Sequence, residues 1–166
     1  MTTGRCVGLL LTVAVLGTGC SGAATSTEPP PGPEQQALAA YERFWTVSQA
    51  AFASPASREW SGDLAEVATG PALEATLTEV RSYAEFPAHT VGAISRAPSV
   101  ASVSDARIDI VDCVDLGDSR LVSDRTGEVL DDLANRVQRF RYRAELVVED
   151  GRWLVERTDA ALDEPC

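Results

Sequence analysis

A change in hydrophobic spacing at Pro87 divides this chain of 166 residues into two parts. Before Pro87, apolar residues recur about every 3.6 positions, which predicts helices, and after it they recur at every second position, which predicts strands. Helices followed by a meandering sheet are typical of an α+β domain, in which the helices cover the apolar face of the sheet. The sequence therefore predicts three N-terminal helices packed on an antiparallel sheet.

Proline residues and apolar spacing set the bounds of the three predicted helices. The first begins at Pro33 and ends at Ser54, a short second helix lies near residues 63–68, and the third begins at Pro71. The side chains expected to face the core are Leu38, Tyr41, Trp45, Ser48 and Phe52 in the first helix, Leu64 and Val67 in the second, and Leu73, Leu77, Val80 and Ala84 in the third.

Alternation of apolar and polar residues predicts the strands of the second part. One strand spans residues 90–103 with an interruption near Pro98, and two uninterrupted strands span 106–116 and 139–149. A hairpin at 124–127 joins two short strands, and Asp150-Gly151 forms the tight turn before the last strand. The side chains expected to face inward are Ile108, Ile110, Asp112, Val114 and Leu116 in one long strand, and Phe140, Tyr142, Ala144, Leu146 and Val148 in the other.

This order of elements, the aromatic first helix, and the segments Asp112-Cys113-Val114-Asp115 and Asp150-Gly151-Arg152-Trp153-Leu154-Val155 resemble the nuclear transport factor two-like superfamily, which includes SnoaL-like domains. The chain also resembles small actinobacterial lipoproteins of unknown function with that fold. The resemblance covers roughly residues 33–166. It implies that the curved sheet and the helices form a cone, often with an apolar pocket.

The N-terminal residues are similar to a bacterial lipoprotein signal. Arg5 precedes an apolar run from Val7 to Leu16 that is too short to span a bilayer, and small residues lead to Cys20. We expect residues 1–19 to be the signal peptide and Cys20 to carry the acyl chains, with ordinary cleavage near Ala23 as the alternative. Such an anchor holds a protein stably on a membrane, here on its extracytoplasmic face.

Residues 20–33 are rich in Ser, Thr, Gly, Ala and Pro and show no apolar periodicity. This composition predicts a disordered tether between the anchor and a single domain at residues 34–166.

Two cysteines remain once Cys6 is removed with the signal and Cys20 is lipidated. In an exported domain the remaining pair, Cys113 and Cys166, most simply forms a disulfide, which the chain-entropy model values at about 4 kcal/mol. Two isolated thiolates lack the spacing of a zinc site.

The net charge of −11 disfavours binding to nucleic acid. The acidic residues between Asp112 and Asp132 lack the spacing of a calcium loop and are interpreted as a solvated edge. Phosphate-loop, dinucleotide and zinc-protease motifs are missing from the sequence. We therefore predict no cofactor and no metal.

The candidate pocket consists of inward-facing aromatic residues and one acid, and its members are Tyr41, Trp45, Tyr83, Asp112 and Tyr142. Asp112 is the one acid on the apolar side of its strand, so it could act as a proton shuttle, with Tyr142 donating to an oxyanion. The alternative is structural, in which Asp112 bonds a backbone N–H, an arginine or a tyrosine hydroxyl. The single histidine, His89, is expected in an exposed loop.

Arg139, Arg141 and Arg143 share one face of their strand and are expected to pair with Asp109 and Asp115 on the water-facing side of the sheet. These observations favour a non-catalytic binding or accessory module for an envelope protein or a small apolar ligand. The alternative is a small isomerase or hydrolase that uses Asp112 as a base. A homodimer formed through the sheet is a further expectation for partners.

Overall fold

A computed structural model describes residues 30–166, and within that range the chain forms three helices and six strands. The helices are α1 (Pro33–Ala53), α2 (Ser61–Ala65) and α3 (Gly70–Glu85). The strands are β1 (Ala88–Val91), β2 (Ser99–Val103), β3 (Arg107–Asp115), β4 (Arg120–Ser123), β5 (Arg139–Glu149) and β6 (Arg152–Ala161). The predicted signal peptide, Cys20 and most of the predicted tether lie outside the described residues.

Helix α1 forms where the sequence predicts it. Pro33 suits the first turn because its missing N–H needs no partner there, and the Gly32 carbonyl accepts the first helical bond, from the Gln36 amide at 3.0 Å. The helix ends before Ser54 and Pro55. Its buried side chains recur at helical spacing and are Ala37, Ala40, Tyr41, Phe44, Ser48 and Ala51.

The strands form a four-stranded antiparallel sheet in the order β2-β3-β5-β6 and a separate pair, β1 and β4. Helices α1 and α3 both pack against β6, and α1 also contacts β2 and β3. The main core lies between α1 and the inner face of the larger sheet, with Ile108, Ile110 and Leu146 almost fully buried. This arrangement confirms the predicted α+β fold, and it is consistent with a cone closed by three helices.

The strand predicted at residues 90–103 is instead two strands in different sheets. The chain leaves β1 at Gly92, whose φ of 84° is in the left-handed region. A Cβ atom at this position would lie 1.9 Å from the Asp118 carbonyl oxygen, so only glycine allows the close approach. The sequence pattern did not reveal this change of direction.

Strands β5 and β6 are joined by the predicted turn, with φ values of 50° at Asp150 and 74° at Gly151. An extra residue in β6 shifts the register, so that Glu145 lies opposite Arg157 and Leu146 lies opposite Val155. The prediction that Val148 faces inward is wrong, since it is 42% exposed. It lies two residues before the turn at Asp150-Gly151.

The predicted hairpin at residues 124–127 has only one full strand. Strand β4 pairs with β1, and beyond the turn a single bridge joins Val122 to Val129. No helix within residues 30–166 has both the length and the hydropathy that crossing a membrane requires.

Candidate functional site

Asp112 and Tyr41 form a buried hydrogen bond that joins β3 to α1. Their exposed fractions are 1% and 0%, and the Tyr41 hydroxyl donates to Asp112 Oδ2 at 2.9 Å. The Ala97 backbone N–H donates to the other carboxylate oxygen at 2.6 Å. Each oxygen of the carboxylate therefore has a donor, and the side chain links three segments of the chain.

Burial raises the pKa of the Tyr41 hydroxyl, and the negative charge of Asp112 raises it further. The Trp45 indole opposes this pKa shift, although its N–H lies outside hydrogen-bond geometry. Tyr41 is therefore a neutral donor at physiological pH.

Arg96 covers the aromatic residues next to this pair. Its guanidinium bonds both carboxylate oxygens of Glu42 and lies 5.8 Å from the ring centroid of Tyr41 and 5.2 Å from that of Trp45. The Arg96 side chain is only 14% exposed. These contacts, together with the Ala97 bond, separate Asp112 from solvent.

A cavity of about 220 Å³ lies between α1, α3, β4 and the segment that follows β4. We call it the Trp45 cavity. Its walls combine aromatic, aliphatic and polar side chains. The residues that line it are Trp45, Ser48, Gln49, Phe52, Glu79, Tyr83, Thr90, Ile94, Leu116, Ser119, Leu121, Asp131 and Arg136.

Arg136 and Asp131 form the fixed polar wall of the Trp45 cavity. The Arg136 guanidinium donates to the backbone carbonyls of Ser119 at 3.0 Å and Leu116 at 2.9 Å, and it lies 3.4 Å from Asp131 Oδ2. Asp131 in turn accepts the Leu121 amide at 2.6 Å. Both side chains are more than four-fifths buried, so their positions are set by the fold.

Three residues that line the Trp45 cavity carry buried polar atoms without a hydrogen-bond partner among residues 30–166. These atoms are Trp45 Nε1, Ser48 Oγ and Arg136 Nε. An unpaired buried donor or acceptor costs about 1 to 3 kcal/mol, so native proteins rarely leave one without a reason. All three atoms belong to residues that line one cavity, and we therefore take it as the candidate site.

Two tyrosines at or next to the Trp45 cavity have pKa values raised by burial and by nearby carboxylates. The Tyr83 hydroxyl donates to Glu79 Oε1 at 3.1 Å, and burial together with the charges of Glu79 and Asp131 raises its pKa. Burial also raises the pKa of Tyr142 to about 12, with smaller contributions from the charges of Glu79 and Asp112. The Thr158 side chain opposes this second shift.

The five residues of the predicted pocket occupy two neighbouring places. Trp45 and Tyr83 line the Trp45 cavity, whereas Tyr41 and Asp112 form the buried pair. Tyr142 packs on Trp45 with ring centroids 5.2 Å apart, but it does not line the cavity.

Sequence reasoning placed Asp131 on a solvated acidic edge and did not single out Arg136, whereas in the structure the Asp131 side chain is only 17% exposed. They lie in the irregular segment after β4, where no apolar periodicity indicates which side chains point inward. An arginine with so little exposed surface is recognisable only from the fold.

The disulfide pair Cys113 and Cys166 holds the C-terminal segment against the outer face of the sheet. Their sulfurs lie at disulfide distance, with Cα atoms 5.8 Å apart, and the Arg141 amide donates to the Glu164 carbonyl at 2.9 Å. After β6, the C-terminal segment passes over β5 and reaches β3, where Cys166 meets Cys113. The segment therefore covers part of the water-facing side.

The arginines of β5 do not pair with β3 as predicted. Arg143 bonds Glu164 at 2.6 Å and Asp159 at 3.3 Å, and Arg141 lies 3.5 Å from Glu164. Arg139 donates instead to the Cys113 sulfur at 3.1 Å, although Asp115 lies opposite it in the register. The acids of β6 and of the C-terminal segment reach the arginines, and Arg143 lowers the pKa of Glu164 through its hydrogen bond.

His89 lies in β1 rather than in a loop, and its Nδ1 bonds the Asp124 carboxylate. Within residues 30–166, no three His, Cys, Asp or Glu side chains are placed to hold a metal ion.

No family model matches the chain, and no curated protein matches it in sequence. Among solved structures, the intermembrane space region of the chloroplast protein ARC6 aligns with a TM-score of 0.59 at 15% identity, covering 79% of this chain and 98% of that one. At this identity the likeness shows a shared fold alone. A protein from Xanthomonas campestris described as a calcium/calmodulin dependent protein kinase II association domain aligns with a TM-score of 0.42 at 15% identity, covering 79% of this chain and 89% of that one.

Proposed function

We propose that this protein is a lipid-anchored, extracytoplasmic binding module that holds a small ligand in the Trp45 cavity. The observation that carries the proposal is the group of three unpaired buried polar atoms on residues that line this cavity. Small-molecule sites are concave and mostly apolar, with a few polar groups in fixed positions. The Trp45 cavity has this composition.

The polar groups need a partner that residues 30–166 do not supply. A ligand with a hydrogen-bond acceptor could satisfy Arg136 Nε or Trp45 Nε1 after a small adjustment of the side chains, and Ser48 Oγ can both donate and accept. Ligand binding would then recover part of the free energy that these atoms cost in the free protein.

The contacts of Asp112 favour binding over catalysis. A general base must reach the proton that it abstracts, whereas both oxygens of Asp112 are held by Tyr41 and Ala97 inside the core. An isomerase or hydrolase mechanism would require the carboxylate to break at least one of these bonds and Arg96 to move.

Placement outside the cytoplasm is supported by the N-terminal sequence and by the disulfide pair. Cys113 and Cys166 lie at bonding distance, and such bonds persist mainly in oxidising compartments. The lipoprotein-like segment that ends at Cys20 adds a membrane anchor to this placement.

A protein partner, or a second copy of the chain, is less favoured as the main ligand. The outer face of the sheet is the surface that a dimer would use, and the C-terminal segment already crosses part of it through Glu164 and Cys166. A partner on that face would have to pack beside the segment.

The proposal can be tested by NMR with a panel of small fragments and the purified full chain. We expect fragments to shift the indole N–H signal of Trp45 while those of Trp60 and Trp153, which do not line the cavity, stay unchanged. A panel that shifts none of these signals, or shifts only Trp60 or Trp153, would contradict the proposal.

A further inference from the structure

We infer that the ligand of the Trp45 cavity is a small organic cation, with an ammonium group on an apolar body that carries an oxygen acceptor. This inference rests on the proposed function, because it names the chemical class of ligand for the same site. Three features of the cavity lead to it: its unbalanced charge, its aromatic walls and its unpaired polar atoms.

The charge of the cavity is unbalanced by one carboxylate. Arg136 and Asp131 neutralise each other at 3.4 Å, and the remaining bonds of the Arg136 guanidinium go to backbone carbonyls. Glu79 is solvent-exposed, accepts the neutral hydroxyl of Tyr83, and has no ion-pair partner in the part of the chain that the structure describes. An incoming cation would supply the missing charge.

Aromatic side chains provide the second part of the site. Trp45, Phe52 and Tyr83 all line the cavity. The Arg96 guanidinium already lies 5.2 Å from the Trp45 ring centroid, so the rings available to a ligand cation are chiefly Phe52 and Tyr83, which lie 5.6 Å apart at an angle of 55°. The faces of aromatic rings attract ammonium groups, and surrounding rings are the usual way in which proteins recognise quaternary ammonium ligands. Carboxylate and ring contacts act in the same direction here.

Ser48 provides an independent indication of a ligand. It is 4% exposed, and its hydroxyl is unpaired within residues 30–166 although it belongs to the cavity wall. Arg136 Nε, which is a donor, is unpaired in the same region. An ammonium group alone cannot accept these hydrogen bonds, so the ligand body should also carry a hydroxyl, ether or carbonyl oxygen.

An anionic ligand is disfavoured at short and at long range. Glu79 lies in the wall, and the whole chain carries a net charge of −11, which attracts cations towards its surface and repels anions.

Choline and 3,3-dimethyl-1-butanol are a matched pair of probes, because they have nearly the same shape and hydroxyl group and differ in charge. Both are titrated into the purified full chain, with binding followed through the Trp45 indole signal. We expect choline to bind at least about tenfold more tightly than the alcohol, since cation–π and carboxylate contacts each contribute on the order of a few-fold to tenfold.

The variant Glu79→Gln should weaken choline binding by about tenfold and leave the binding of the alcohol unchanged. Glu74→Gln is the control, because Glu74 lies on the same helix but does not line the Trp45 cavity. It should change neither affinity.

Equal binding of the two probes, or equal effects of the two variants, would overturn the cation assignment while leaving a small-ligand cavity in place. Absence of choline binding would also overturn it. The proposed function is contradicted by a different result, in which no fragment of any charge shifts the Trp45 indole signal.

Discussion

Replacing Tyr41 and Asp112 singly and together tests whether their buried hydrogen bond is structural. Tyr41→Phe removes one donor from a carboxylate that is 1% exposed, and Asp112→Asn keeps the shape of the side chain but loses one of two charge-assisted bonds. Bonds to charged groups contribute about 1.5 to 3 kcal/mol each. We therefore expect each single variant to lower the free energy of unfolding by about 2 kcal/mol.

The double variant should lose clearly less than the sum of the two single losses. Contacting residues show interaction energies of about 0.5 to 3 kcal/mol, and the 2.9 Å bond between Tyr41 and Asp112 is the direct contact between them. Urea denaturation, followed by circular dichroism, gives the free energy of unfolding of the wild-type protein, the two single variants and the double variant.

Tyr142→Phe is a suitable control, because Tyr142 lies opposite Asp112 in the sheet but does not bond it. Unchanged stability in both single variants, or strictly additive losses, would refute the structural role. Asp112 would then be available for the chemistry of an enzyme.

Further predictions concern the disulfide pair, the tyrosines and the anchor. Replacing both Cys113 and Cys166 with serine should lower the free energy of unfolding by about 4 kcal/mol, because the pair closes a loop with a sequence separation of 53, and a loss below about 1 kcal/mol in urea denaturation would contradict this. All three tyrosines of the chain have raised pKa values in the folded state, so their contribution to stability is complete below pH ~10. The contribution of Tyr142 is lost as the pH rises from there through about 12, and the contributions of Tyr41 and Tyr83 are lost at still higher pH. Absorbance at the tyrosinate band should therefore stay low at pH ~10.5, and half-ionised tyrosine in the folded chain at that pH would be the contrary result. Cys20→Ser should move the protein from the membrane fraction to the supernatant, and retention on membranes would exclude the lipid anchor.

The fold was predictable because its long elements carry clear periodicity. In β3 the residues Ile108, Ile110, Asp112 and Val114 alternate with half-buried neighbours as the sequence indicates, so the inward position of a single acid could be inferred. Helix α1 was equally clear, since a proline begins it and another follows its end.

Short strands, and contacts between residues far apart in the sequence, could not be predicted. The separation of β1 from β2 depends on the contact between Gly92 and Asp118, which are far apart in sequence, and the partners of Arg143 lie on β6 and in the C-terminal segment. A single sequence contains the residues of such contacts but not their pairing.

The candidate site was predictable in part for the same reason. Trp45 and Tyr83 stand on helices whose inner faces follow from spacing, and both line the cavity. Arg136 and Asp131 stand on an irregular segment, and the fold alone brings them to the same wall.

The most direct measurement compares ligand affinity and stability in Ser48→Leu, with Thr46→Leu on the exposed side of α1 as the control. Leucine at position 48 occupies part of the Trp45 cavity and removes an unpaired hydroxyl, so unfolding should require about 1 to 2 kcal/mol more while binding of the best fragment is lost. Thr46→Leu should leave that affinity unchanged. Full affinity in Ser48→Leu would contradict the account, because the ligand would then bind somewhere other than the Trp45 cavity.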